Sequence, residues 1–213
     1  MIDLYCERIG PGLLAEPLNA TTNGFFVIAA WWCWRSARAS TRRDVMVLAV
    51  TMFAIGIGSG LFHTFATPWA ELLDVIPLLF FQLAYLWLHL RRVAMLERVT
   101  AASLSCVFAA AIAICAMYPQ TLNGSLAYMP AATALMLMGV QQTFASGSDA
   151  RGLIAAGLIF IISLTARTVD NLLCAHWPWG THFIWHSLNA LVLFIVVRAY
   201  VRGANKTPGS PGI

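Results

Sequence analysis

"VMVLAVTMFAIGIGSGLFHTFATPWA" (residues 45–70) contains no Asp, Glu, Lys or Arg. A helix needs about 20 consecutive, mostly apolar residues to cross the hydrocarbon core of a bilayer. This interval is long enough, and it reads as a membrane span whose last turns carry Ser59 and His63. Residues 17–34, 75–90, 152–166 and 171–197 are free of charged side chains in the same way. So is 99–148, which is too long for one crossing. "YPQTLNGS" (118–125) divides it, because Pro119, Asn123 and Gly124 are loop formers. The pattern predicts seven helices, over 20–38, 44–64, 70–90, 98–117, 126–145, 151–169 and 180–201. The fold class expected is an all-α membrane protein, a seven-transmembrane helix bundle.

Composition agrees. Of the 213 residues 60% are hydrophobic and 10% charged, and mean hydropathy is +0.74, whereas soluble domains carry roughly 25% charged residues. One membrane domain is expected over residues 1–203, followed by a disordered Gly/Pro-rich tail, "ANKTPGSPGI" (204–213). No internal repeat is visible, and residues 1–22 lack the basic start and apolar core of a secretory signal.

The basic residues set an orientation. Arg35, Arg38, Arg42 and Arg43 fill the first connection, and Arg91, Arg92 and Arg98 the third. Arg151 lies in the fifth, while Arg198, Arg202 and Lys206 follow the last helix. By the positive-inside rule the N-terminus is outside and the C-terminus cytoplasmic. The net charge of +4 thus reflects topology and does not imply nucleic-acid binding.

Ionisable groups within a span are costly and usually mark function, and here they gather at one level. The second helix ends with Ser59 and His63, and the third begins with Glu71 and Asp74. The sixth ends with Arg167 and Asp170, and the seventh begins with His182 and His186 in "GTHFIWHSLNA" (180–190). His182 and His186 are one helical turn apart and share a face. With His63 they make three imidazole ligands, which leave one position of a tetrahedral zinc open for water. "HFIWH" has the zincin spacing, but Phe183 stands where that motif has its Glu. Asp74, at matching depth, is the candidate general base, and Ser59 a candidate oxyanion donor. Arg167 and Asp170, three residues apart on one helix, read as a structural ion pair or as support around the site. His89, beside Arg91, reads as a headgroup-level residue, and His176 as a loop residue.

A receptor or sensor with a structural zinc is the competing class. A haem carrier is disfavoured, because two histidines on one helical face cannot take opposite axial positions of one haem. A retinal protein is disfavoured because Lys206 is the only lysine and lies in the tail.

In this order, "DLYCERIGPGLLAEPLNATTN" (3–23), "GIGSGLFHTFATPWAELLDVIP" (56–77), "RTVDNLLC" (167–174) and "GTHFIWHSLNA" (180–190) resemble the alkaline ceramidase family. Its wider superfamily of seven-helix proteins includes the adiponectin and progestin receptors. The resemblance implies a zinc-dependent hydrolase of linear amide bonds, cleaving ceramide or another N-acyl membrane lipid to a fatty acid and a sphingoid amine. It implies zinc on His63, His182 and His186, with Ser59 and Asp74 beside a metal-bound water near the outer, periplasmic or lumenal face. It also implies a calcium site at Asp3, Glu7, Glu16 and Asn19. There, however, "DLYCE" has one residue more between Asp and Glu than the family usually shows, and Ile9 and Gly10 stand where an Asn is expected. The resemblance pairs Cys6 with Cys174, both in outer segments, where an oxidising compartment permits a disulfide.

Overall fold

Helices occupy the charge-free intervals. The computed structural model describes residues 1–144 and 150–206. In chain order it has α1 (Pro17–Thr22), α2 (Gly24–Ala39), α3 (Arg43–Phe65), α4 (Pro68–Arg92) and α5 (Arg98–Ala116). A 3-10 stretch (Thr121–Tyr128), α6 (Met129–Phe144), α7 (Ala150–Leu173) and α8 (His182–Lys206) follow. The described residues include no strand. Five helices, α3, α4, α5, α7 and α8, are long and apolar enough to cross a membrane.

The other two long helices, α2 and α6, have 16 residues each, short of the about 20 a span requires. Each is prolonged by its neighbour. α1 runs into α2 through Asn23, whose backbone is itself right-handed helical (φ −63°, ψ −18°), and the 3-10 stretch runs into α6. The helix expected from residue 126 therefore becomes α-helical only at Met129, after Leu122, Asn123 and Gly124 take left-handed dihedrals. The expected tail begins as the end of α8, which continues to Lys206; residues 207–213 lie outside the described residues.

α3 is the central element. Leu48, Ala49, Met52 and Ile55 are buried in a core shared with Phe26, Phe81, Leu153, Trp185 and Val197 of the surrounding helices. α5 is peripheral and buries only Ala101 and Phe108. α3 ends at Ala66, left-handed at φ 48°, with its N–H returned to the Phe62 carbonyl. Extended Thr67 and then Pro68 at the first turn start α4 at once. α3 and α4 are thus antiparallel neighbours, which brings Ser59 and His63 beside Asp74.

At the arginine-rich end, Arg42 grips both oxygens of Asp44 at 3.1 and 2.9 Å and the Asn205 side chain at 2.8 Å. The Tyr200 hydroxyl also donates to Asp44. This ties the start of α3 to the end of α8, with the three histidines at the opposite end of the same two helices.

Candidate metal centre

Residues 1–16 fold back over the histidine end because helix termini and acids there satisfy one another. A helix leaves its first N–H groups without partners. Those of Leu18 and Asn19 in α1 are taken by Glu7, at 2.6 and 2.8 Å. At the head of α8, Asp170 accepts from the Thr181 and His182 N–H groups at 2.6 and 2.9 Å. Its other oxygen accepts the Cys6 N–H at 3.0 Å. Gly180, at φ +63°, makes the turn; a Cβ there would meet Asp170 at 2.2 Å. The Cys6–Cys174 disulfide, with Cα atoms 5.1 Å apart, closes the arrangement.

Beneath this segment His63, His182 and His186 are buried, at 1%, 2% and 2% exposure. One ligand nitrogen from each lies within 4.8 Å of the others. The Nε2 atoms of His63 and His186 face one another at 3.1 Å. Their hydrogen-bond partners fix the tautomers. His63 Nδ1 donates to Glu16 Oε2 at 2.5 Å. His186 Nδ1 donates to Thr22 Oγ1 at 3.1 Å, the Thr22 proton being engaged with the Leu18 carbonyl at 2.7 Å. With both rings neutral, the two Nε2 lone pairs point inward at one another, an arrangement that suits a bound cation. Nitrogens around a tetrahedral zinc, with bonds near 2.0–2.1 Å, stand about 3.3 Å apart. His182 stacks on the Tyr5 ring at 3.6 Å, and its buried Nδ1 has no hydrogen-bond partner. The donor set fits zinc: three converging imidazoles, two of them oriented by a carboxylate or a hydroxyl behind them.

Asp74 lies across from this cluster on α4, with the Ser59 hydroxyl hydrogen-bonded to its carboxylate. A glycine sets their spacing. Pro77 has no N–H to give to the Leu73 carbonyl, its partner in a regular helix. Gly58 packs against that carbonyl so closely that a Cβ would stand 1.9 Å from it.

Arg167 and Asp170 do not form the expected ion pair. Asp170 is engaged by three backbone N–H groups. Arg167 turns the other way, to the Asn123 carbonyl, Ser125 at 3.3 Å and the Tyr5 hydroxyl at 3.4 Å. Its guanidinium also lies 5.3 Å from the Tyr128 ring centre. His89, near the end of α4, is buried against the bundle at 1% exposure. His176 is an exposed loop residue, as expected.

The residues expected to hold calcium do not form a cation site. Asp3 is exposed. Both Glu7 oxygens serve α1, and both Glu16 oxygens are engaged by cationic or polar side chains, Arg8 at 2.5 Å among them. Burial pushes the Glu7 carboxyl up, against the pull of the Asn19 and Leu18 amides. Burial acts on Glu16 in the same direction, but hydrogen bonds from His63, Asn19 and Arg8 hold it below the usual range. Arg8, Thr22, Tyr5 and Gly58 were not singled out from the sequence. "GIGSG" (56–60) was the one available signal, since small residues mark close helix contacts in membranes.

A family model described as Ceramidase matches residues 5–210. No match was found among curated proteins.

Proposed function

The chain belongs to the ceramidase family, and from that premise we propose that it cleaves the amide bond of ceramide or a related N-acyl lipid at a zinc held by His63, His182 and His186. The observation that carries this reading is the convergence of three buried imidazoles beside Asp74. Zinc bound there supplies a Lewis acid for the amide carbonyl and lowers the pKa of a water to about 7. Asp74 accepts the proton of the attacking water and passes it to the leaving amine nitrogen. Ser59 holds that carboxylate in place at rest and is the nearby donor for the oxyanion.

An apolar cavity supports a lipid substrate. It is lined by Leu78, Phe81, Leu135, Phe160, Asn189 and Leu193 among others. Leu78 follows Asp74, and Asn189 follows His186, by about one helical turn, so the cavity begins just beneath the site. An acyl chain lying in it directs its carbonyl end to the histidines.

The test is release of free fatty acid and free amine from a panel of N-acyl lipids by the purified protein in detergent. Release from ceramide-like amides is expected; no release from any amide lipid overturns the hydrolase reading in favour of a receptor. The arginine-rich end faces the cytoplasm and the histidine end the outer side in this proposal. Cysteines placed at 120–125 should then react with an impermeant reagent from outside, and those at 38–43 should not. The reverse pattern inverts the topology.

A further inference from the structure

Arg8 precedes the first helix, where a cationic side chain would ordinarily point to water, yet it is 4% exposed. A buried charge is costly unless it is paired and hydrogen-bonded. Its Nε donates to Glu16 Oε1 at 2.5 Å, and its Nη2 to the His63 backbone carbonyl at 2.8 Å. The other Glu16 oxygen, Oε2, accepts from His63 Nδ1 at 2.5 Å and from Asn19 Nδ2 at 3.0 Å. One carboxylate therefore bridges a guanidinium and an imidazole of the three-histidine cluster, and the same guanidinium also clamps that histidine's main chain.

We infer that Arg8 is the built-in cation of this site: it neutralises and aims Glu16, which aims His63, so that the centre holds its zinc with no calcium. The inference rests on the zinc centre proposed above. A calcium ion wants six to eight oxygens. Here Asp3 is exposed, Glu7 is committed to two amides, and Glu16 is held by Arg8, His63 and Asn19. Ile9 and Gly10 bring no side-chain oxygen. Of the expected ligand set, the Asn19 amide oxygen alone is a buried side-chain atom without a partner. A divalent ion at Glu16 would also lie against the guanidinium and be repelled by it. The substitution changes regulation. A bound ion comes and goes with its concentration, whereas an arginine is always charged and tethered to the chain. The centre should be indifferent to ambient calcium.

The experiment measures zinc affinity of the purified full-length protein by competition with a chromophoric chelator, with calcium either removed by a calcium-selective chelator or added at millimolar concentration. Wild-type affinity is expected to be the same in both, and a saturable rise with calcium overturns the inference. Arg8→Met keeps an apolar stem but leaves Glu16 short of a cation, and its zinc affinity should fall about 10-fold, as for other groups that orient metal ligands. Millimolar guanidinium ion should restore part of that loss, a response that a merely structural role would not give. Unchanged affinity in Arg8→Met, or a loss that guanidinium does not repair, overturns it. Should Arg8→Met fail to fold, Arg8→Lys keeps the charge without the planar fork and should bind zinc more weakly than wild type; equal affinity overturns the inference. These readings need no turnover. A protein that hydrolyses no amide lipid can still support Arg8, and a calcium-dependent zinc site would remove Arg8 while leaving hydrolysis intact.

Discussion

Two groups of buried histidine occur in this bundle, and they differ in what stands behind them. At one end His63 and His186 are each hydrogen-bonded from outside, by Glu16 and Thr22, so that their free nitrogens converge with His182. Towards the other end of α4, His89 is equally buried, but its Nε2 meets only the Gln142 amide at 3.4 Å and its Nδ1 has no partner. Burial alone therefore does not distinguish a metal site. What distinguishes the candidate centre is convergence of ring nitrogens, enforced for His63 and His186 by acceptors on the far side of the ring.

The sharpest way to break this comparison is metal analysis. His63→Ala, His182→Ala and His186→Ala should each reduce zinc from about one per chain to little or none, while His89→Ala keeps it. Zinc retained in all three, or lost with His89, would erase the distinction between the two groups. Next in size is chemistry without metal loss. Asp74→Asn should keep zinc yet lower turnover of an N-acyl sphingoid substrate by at least ~10²-fold, the scale of removing a general acid–base; equal rates would exclude Asp74 from proton transfer. Smaller is the effect of spacing. In Gly58→Ala a methyl group must displace the Leu73 carbonyl and with it Asp74, and misplacement on the 1 Å scale costs up to ~10²-fold. Zinc content should not change, and a variant with full turnover would show that α3 and α4 can separate without harm to the site.

The histidine end was legible from the sequence where the signal was local. His182 and His186 share a face by spacing alone, and His63 and Asp74 were placed by the ends of charge-free stretches. The helices were legible for the same reason, since a span must be long and uncharged. Arg8 was not, because its burial depends on residues 1–16 folding back over α3, a contact between chain segments far apart in sequence. Of the two readings of Arg167, the ion pair fails for a related reason. Asp170 is three residues away, but backbone N–H groups of Cys6, Thr181 and His182 outcompete the guanidinium for it, while Arg167 finds its partners 44 and 42 residues away at Asn123 and Ser125. The burial of His89 was not legible, because proximity to Arg91 marks only the helix end, whereas its face of α4 turns inward towards Gln142 of α6. The calcium expectation finds no support in the contacts of its residues: Asp3 is exposed, Glu7 serves α1, and Glu16 is held by Arg8, whose charge is visible in the sequence although its direction is not.

The Cys6–Cys174 bridge joins the segment carrying Glu7, Arg8 and Glu16 to the end of α7, across 168 residues of chain. Its formation depends on which compartment receives that end of the bundle. Were that end to meet a reducing compartment, both thiols would stay free, and the first sixteen residues would be held only by hydrogen bonds and by packing such as that of Tyr5 on His182. Glu16 would then be tethered less firmly to His63, and the three histidines of the proposed centre would be less firmly aligned. The bridge therefore links the geometry proposed for the three histidines to the redox state of the compartment that the histidine end meets.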